Sequence, residues 1–479
     1  MSNVTRDWRD ERIEQLGREN AELRRENAEL MERVAKLEEQ LRKSSRNSSK
    51  PPSSDGPAVP PRPMKPATGR KPGGQFGHKP HKRELVPVEK VRKVIECIPE
   101  HCGHCTTRLR GRDPEPYRHQ VTHVPPIEPI TDEYRQHTLC CAQCGEKTVG
   151  KLPVGVPTGA FGPSVVAVVA VLMGAYRLSK RLVPELLHDL CGLRMSVGAA
   201  VGCQQVASAA LEEPVTEAKA HVAKQPVKHA DETGWREGPK RARAWLWVVV
   251  THTVAVFMVH ARRNADAAMR LLGDMFGVLV TDRHGAYNWW PDRLRQYCWA
   301  HLKRQFQMMS ERGGDSERIG KALLEQVAQM FHFWHQVRDG TLNHSTFRDD
   351  MRPLQQRVEA LLAEGVAIAH TKTSNTCHKL LQHTEALWTF VRIEGVPPTN
   401  NTAEQIVRHG VILRKLSQGT HSEKGSRFIE RILTVHATLR LQKRNVLNFV
   451  RQACEAKLRG TTPPSLLSAD VPARLDIAA

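Results

Sequence analysis

Residues 226–287 read PVKHADETGWREGPKRARAWLWVVVTHTVAVFMVHARRNADAAMRLLGDMFGVLVTDRHGAY, and the order of elements in this stretch decides the fold. Trp245–Thr251 and Val254–His260 are rich in β-branched and aromatic residues and are separated by two residues, the pattern of a hairpin. A strand ending at Asp231 precedes them, a helix over Asn264–Met275 follows, and Val278-Leu-Val-Thr makes a fourth strand that Asp282 closes. In a mixed sheet of this order the first and fourth strands are parallel neighbours. Asp231 and Asp282 then project from one region of the sheet, and paired carboxylates there form a divalent-metal site. Alternation along the strand turns the adjacent Glu232 to the other face. Asp266 falls on the helix, and Asp292 in a loop after Trp289-Trp290.

A third acid has to come from further along the chain. Glu404 is the best candidate, in PPTNNTAEQIVRHGVILRK, where Pro397-Pro398 end the preceding segment and Thr399 or Asn400 caps a helix. Arg408 and Lys415 lie on that helix, cations suited to phosphates; the plainer alternative is an i,i+4 ion pair between Glu404 and Arg408.

Upstream the chain changes character several times, as 479 residues with 40% hydrophobic content allow. Residues 13–41 repeat every seven positions. Ile13, Asn20, Asn27, Val34 and Leu41 form one row, and Leu16, Leu23, Leu30 and Leu37 the other. Leucine at every d position and asparagine at two a positions predict a parallel two-stranded coiled coil, with Glu19–Arg24 and Arg33–Glu38 as cross-strand pairs. Residues 44–83 hold nine Pro, five Gly, nine Lys+Arg and one acid, too polar to build a core and basic enough to contact phosphates. The whole chain carries a formal +20, which favours polyanions such as nucleic acid.

Cys102-Gly-His-Cys105 and Cys141-Ala-Gln-Cys144 are two C-x-x-C knuckles, the spacing of a four-thiolate structural zinc site. Tyr117–Val124 and Tyr134–Leu139 read as strands of a zinc ribbon; Cys97 and Cys140 are spare, and His101 or His104 could replace a cysteine. With no basic head followed by an apolar stretch at the start, the chain is expected in the cytosol with reduced thiols. Pro163–Ala175, Ser179–Leu190 and Ser196–Glu212 read as helices, capped by Ser179 and Ser196 and with Gly192 past a C-terminus. They suit a helix-turn-helix, with Gln204 and Gln205 for base edges, or a plain helical core. Residues 311–395 look largely helical.

RNSSKPPSSDG, the paired knuckles, HADETGWR, TDRHGAY, CWAHLKRQF and PPTNNTAEQIVR followed by RKLSQGTHSEKGSR, in that order, resemble the transposases of the insertion sequence 66 type, whose DDE domain is RNase H-like. The resemblance implies that Asp231, Asp282 and Glu404 are the acidic triad. They would hold Mg2+ or Mn2+ for two-metal phosphoryl transfer, first with water and then with the freed 3′-hydroxyl as attacker. Cys298-Trp-Ala-His301 also resembles a Cys-x-x-His element of several DDE transposases, although by itself it reads as a weak metal site or local packing. Arg236 and Arg283 beside the acids, and Lys303, Arg304, Arg414, Lys415 and Arg427 within the matching phrases, become DNA contacts. Trp235, Trp289 and Trp290 either stack bases or pack a core.

The expected organisation is multidomain: coiled coil 1–43, basic linker 44–95, zinc-binding domain 96–155, helical DNA-binding segment 156–222, α/β RNase H-like catalytic core 223–310 and 396–459 with a helical insertion 311–395, and a tail 460–479. Its partners are DNA, a second copy through the zipper and, as the resemblance allows, accessory proteins of the same element. No membrane span is expected. The rival readings are a zinc-binding regulator without catalysis and a metal-dependent nuclease that cuts without joining.

Overall fold

The computed structural model describes residues 8–42 and 84–467; most of the basic linker and the last part of the tail lie outside them. Helix α1 (Trp8–Arg42) is continuous, and its seam residues Ile13, Leu16, Leu23, Leu30, Val34 and Leu37 are all exposed.

Residues 84–155 differ from the expected ribbon. Strands β1 (Thr138–Cys140) and β2 (Lys147–Val149) form a small antiparallel hairpin around the second knuckle. No strand forms over Tyr117–Val124, and of the stretch to Leu139 only its end pairs. Pro114, Pro116, Pro125, Pro126 and Pro129 remove ladder donors around this segment, and Val121, Val124, Ile127 and Ile130 stay exposed. The expected linker also ends earlier than position 95. Gln120 donates from Nε2 to Val86 O at 2.8 Å and accepts from the Val86 N–H at 2.8 Å, tying residue 86 to the knuckle segment.

The main sheet has five strands: β3 (Val227–Glu237), β4 (Ala242–Val250), β5 (Ala255–His260), β6 (Val278–Thr281) and β7 (Arg295–Tyr297), in the order β5-β4-β3-β6-β7. β4 runs antiparallel to both β3 and β5, while β3, β6 and β7 are parallel, an arrangement consistent with an RNase H-like fold. β7 was not legible in the sequence; it is three residues long and carries a fully buried arginine, Arg295.

Helices α2 (Pro163–Gly174), α3 (Leu182–Cys191), α4 (Val197–Ala210) and α5 (Glu212–Ala223) pack into the same core as the sheet. Ser196 caps α4 through the Ala199 N–H at 3.1 Å, and Gly192 takes the left-handed conformation after α3. α3 begins later than expected, with Ser179 Oγ accepting from Leu182 N–H at 3.2 Å. Gln204 is buried against this core, so of the two expected base readers only Gln205 is exposed. Gly174 allows α2 to lie directly on Ile432, where a Cβ would overlap it.

α6 (Ala265–Leu272) joins β5 to β6, with Asn264 as its cap. After β7 come α7 (Trp299–Ser310), α8 (Gly314–Arg338), α9 (His344–Ala367), α10 (Thr371–Gln382) and the short α11 (Thr384–Leu387) and α12 (Thr389–Arg392). They share a second core with β6 and β7. α13 (Asn401–Ser417), α14 (Glu423–Leu441) and α15 (Val446–Arg459) return to the first. α14 closes the β5 edge: Glu430, Thr434 and Thr438, one turn apart, accept from the N–H groups of Val259, Phe257 and Ala255 at 2.5, 2.9 and 3.1 Å. Residues 461–467 are not a free tail. Leu466 is fully buried, and its carbonyl accepts from Gln442 Nε2 at 2.8 Å.

Candidate active site

The parallel register of β3 on β6 pairs Val227 with Val278, Lys228 with Leu279 and His229 with Val280. Carried two residues further, the same register sets Asp231 opposite Asp282. α13 covers the face that Asp231 shares with Thr233: Thr233 pairs with Leu246, and Leu246 occupies the space where a Cβ on Gly410 would sit. Glu404 stands in the first turn of that helix, its N–H donating to Asn400 O at 3.1 Å.

Asn400 does not cap α13 with its side chain as expected. The fully buried carboxamide instead crosses to β3, donating from Nδ2 to Ala230 O at 2.7 Å, with Oδ1 3.2 Å from His229 Nδ1. Its backbone N–H donates to Cys298 Sγ at 3.1 Å. The residue before Asp231, the residue after β7 and the helix bearing Glu404 are therefore fastened at one point. Burial holds His229 down at about 4, so the ring is neutral.

The Asp282 loop is fixed from below. Its Oδ1 accepts from the His284 N–H at 2.8 Å, and buried Arg295 donates from Nη2 to the carbonyls of Asp282 and His284 at 3.2 and 3.3 Å and from Nη1 to Asn288 Oδ1 at 3.0 Å. Glu232, on the opposite strand face, is neutralised separately. It accepts from Arg263 Nε at 2.7 Å and from the Tyr287 hydroxyl, and Arg263 also lies 4.0 Å from Asp282. Burial raises the Glu232 carboxyl above its usual range and Asp282 adds to this, against Tyr287 and Arg263. Arg263, Arg295, Tyr287 and the bridging use of Asn400 were all missed in the sequence, where each reads as an ordinary loop or strand residue.

Asp231 is strongly perturbed. Burial, then the charges of Glu232, Asp282 and Glu404, push its carboxyl well above the usual range. Among the described residues no cationic side chain lies within ion-pair distance of it. Glu404 does not pair with Arg408; its partner is His301, Nδ1 to Oε1 3.3 Å, with Cys298 Sγ 3.9 Å from the same oxygen.

The remaining expected contacts divide by exposure. Arg236, Lys303, Arg408 and Lys415 are exposed, and Arg304 is half-buried. Arg283 turns inward to Gln305, Arg414 donates to Gly234 O at 2.7 Å, and Arg427 pairs with Glu430 at 3.0 Å. Arg236, Arg241, Arg414 and Gln418 line a basic cavity of about 450 Å3. Trp235 and Trp290 are core residues, 1% exposed, bonded through their indole N–H groups to Thr420 Oγ1 and Gly277 O, both at 3.2 Å. Trp289 packs edge-on against Trp290.

The model of the "Transposase IS66 family" matches residues 158–427, more than half of the chain and the whole span from α2 into α14. The chain belongs to the IS66 transposase family. It is thus a DDE transposase, an enzyme of DNA transposition, and the family implies DNA binding and a divalent metal. Residues 5–84 match a second family, of unknown function, DUF6444. No curated protein matches the chain. Within the described residues of this IS66 transposase no helix is long and apolar enough to cross a membrane.

The two knuckles lie outside the IS66 match, and each folds as a tight turn. Thr106 N–H donates to Cys102 O at 3.0 Å, and Gly145 N–H to Cys141 O at 2.9 Å. Hydrogen bonds from Thr107 and Cys102 pull the Cys105 thiol down to about 7, and backbone N–H groups of Cys144 and Gln143 lower Cys141. The four knuckle sulfurs are not gathered at one point; among the described residues, the one set of three or more metal-type donors mutually within 4.8 Å is Cys298, His301 and Glu404.

Proposed function

We propose that this IS66 family transposase binds the ends of its insertion sequence, cleaves them and joins the 3′ ends to target DNA, with Asp231, Asp282 and Glu404 as the acidic triad. The observation that carries this reading is that acids from distant parts of the chain act on one another, the charges of Asp282 and Glu404 both raising the Asp231 carboxyl, although the oxygens of the three do not all lie within 4.8 Å of one another. The β3–β6 register aligns two of them, and the Asn400 bridge ties the helix of the third to the same strand. The donor set fits a hard divalent cation such as Mg2+ or Mn2+. Oxygen ligands suit such ions, and the Asp231 carboxyl, raised first by burial and then by the charges of Glu232, Asp282 and Glu404, has no side-chain cation of its own among the described residues. When bound, a pair of such ions activates the attacking oxygen and stabilises the leaving 3′ oxygen.

The chain's own residues do the positioning. The His284 N–H and Arg295 hold Asp282, the Glu232 N–H holds Asp231 Oδ1 at 2.9 Å, and Asn400 holds the start of α13. Arg236 and Arg414 at the basic cavity, with exposed Lys303, Arg408 and Lys415 and the half-buried Arg304, offer contacts to phosphates, a role Arg283 shares only if its bond to Gln305 opens. Cys102, Cys105, Cys141 and Cys144 bind a structural zinc ion in this reading, supported by their paired turns and by the lowered Cys105 and Cys141 thiols. The exposed leucine seam of α1 supports parallel dimerisation. Accessory proteins of the same element belong to the reading as further partners.

The test is cleavage and joining of DNA carrying the element's own ends, with magnesium, by the native chain and by Asp231→Asn, Asp282→Asn and Glu404→Gln. Loss of both steps in each variant with end binding retained is the expected result. Binding without cutting by the native chain would favour the regulator, and cutting without joining the nuclease.

A further inference from the structure

Cys298, His301 and Glu404 come from the start of α7, its first turn and the first turn of α13, yet their donor atoms lie within 4.8 Å of one another. The spacing can be compared with a tetrahedral zinc ion. Bond lengths of about 2.3 Å to sulfur and about 2.0–2.2 Å to nitrogen and oxygen put N and O about 3.3 Å apart and S and O about 3.6 Å apart. The structure gives 3.3 Å for His301 Nδ1 to Glu404 Oε1 and 3.9 Å for Cys298 Sγ to the same oxygen. His301 Nδ1 is buried and makes no hydrogen bond of good geometry, so in the Nε2–H tautomer its lone pair is free for a ligand. Cys298 is 1% exposed; burial pushes its thiol up to about 11 against the Asn400 N–H that points at its sulfur, so a metal binding there displaces a proton. The His301 and Glu404 side chains remain about one-third exposed, which leaves an open side for a fourth ligand such as water.

We propose that Cys298, His301 and Glu404 form a second, softer metal site that takes zinc and, by taking Glu404, switches off the magnesium-dependent reaction. The inhibitory half of this proposal rests on Glu404 being the third acid; the binding half does not. A thiolate and an imidazole select zinc strongly over magnesium, so excess magnesium cannot displace the ion. The carboxylate is shared: while Oε1 is held by zinc, Glu404 is turned toward Cys298 and His301 and offers magnesium only its other, weakened oxygen.

The test uses the full chain with its knuckles already zinc-loaded. Cobalt(II) is titrated in, and thiolate-to-cobalt charge-transfer absorption is followed. The native chain should take up one further cobalt ion with this signature, and Cys298→Ser should lose the band, with affinity at least tenfold weaker. His301→Asn, measured in the same way, supplies the comparison should Cys298→Ser fail to fold. Equal uptake by native and variant chains, or no uptake, overturns the site. In parallel, zinc is added to magnesium-supported cleavage of end-bearing DNA. Inhibition of the native chain at zinc far below the magnesium concentration, with at least a tenfold higher requirement in Cys298→Ser, is the expected result. Equal zinc sensitivity overturns the switch. Should Glu404→Gln still cut DNA, the triad reading fails and the switch with it, while cobalt uptake still decides the site.

Discussion

Replacing Asn400 by alanine probes the junction between the two halves of the site. The substitution removes the Nδ2–Ala230 O bond of 2.7 Å and the Oδ1–His229 Nδ1 contact of 3.2 Å, both fully enclosed. Ala230 O and the His229 ring lose their partners without gaining water, and each buried unsatisfied group costs about 1–3 kcal/mol. The sum is about 2–6 kcal/mol. At roughly 2–4 °C per kcal/mol for a domain of 150–250 residues, melting should fall by on the order of 10 °C. Asn400→Asp keeps the shape and an acceptor for His229 but turns a carboxylate oxygen toward the Ala230 carbonyl, so it should melt at least as low. The assay is thermal unfolding followed by circular dichroism, with cleavage of end-bearing DNA measured well below the melting range. Cleavage should fall at least tenfold there, because Glu404 loses its fixed relation to Asp231. If Asn400→Ala melts within about 1 °C of the native chain, the bond inventory at this junction does not carry the stability assigned to it.

Asp231→Asn should abolish cleavage yet raise the melting temperature at neutral pH without divalent metal, since it removes the carboxylate that burial and three neighbouring acids disfavour. Magnesium should stabilise the native chain and not this variant; a lower metal-free melting temperature in the variant would refute the charge-crowding account. Glu430, raised to about 7 by burial, contributes stability that is present below about pH 4.5 and is lost as pH rises to about 7. Glu430→Gln keeps an acceptor for the Val259 N–H and should gain on the order of 2–3 kcal/mol at about pH 8, less what the lost Arg427 pair takes back, and nothing near pH 4; urea titrations at the two pH values measure the difference. Leu23→Asp combined with Leu30→Asp should convert a dimer to a monomer in sedimentation while leaving the melting of the remaining domains unchanged, and a variant that still sediments as a dimer would exclude the α1 seam as the contact.

The sheet was legible in advance because β4 and β5 are long β-branched runs and because the strands carrying Asp231 and preceding Asp282 stand in an order that implies parallel pairing; β3, however, does not end at Asp231 as expected but runs on to Glu237, held there by its pairing with β4. Glu404 stood out because a proline pair and a capping residue mark the start of its helix. β7 was not legible: three residues centred on Gln296 and led by a buried arginine carry no hydrophobic period, and only the Asp282 loop explains why Arg295 is there. Asn400 looked like a cap because sequence shows what precedes a helix, whereas its actual partners lie about 170 positions upstream. The ribbon strands failed for the opposite reason. Val121 and Val124 have strand propensity, but both stay exposed, and propensity without a buried face does not make a sheet. The tryptophans resolved toward the core because Trp235 and Trp290 find buried acceptors for their N–H groups.

The order in which the three acids occur along the chain sets a clock. β3 and β6 are complete once residue 281 has been made, so the pairing that aligns Asp231 with Asp282 can form early. Glu404 follows 122 residues after Asp282, and α13 docks through Asn400 only when that segment has emerged. At about 5–20 residues per second, a growing chain spends roughly 6–24 s with two acids aligned and the third unmade. On the proposed triad, the chain has no complete site with which to cut DNA during that interval.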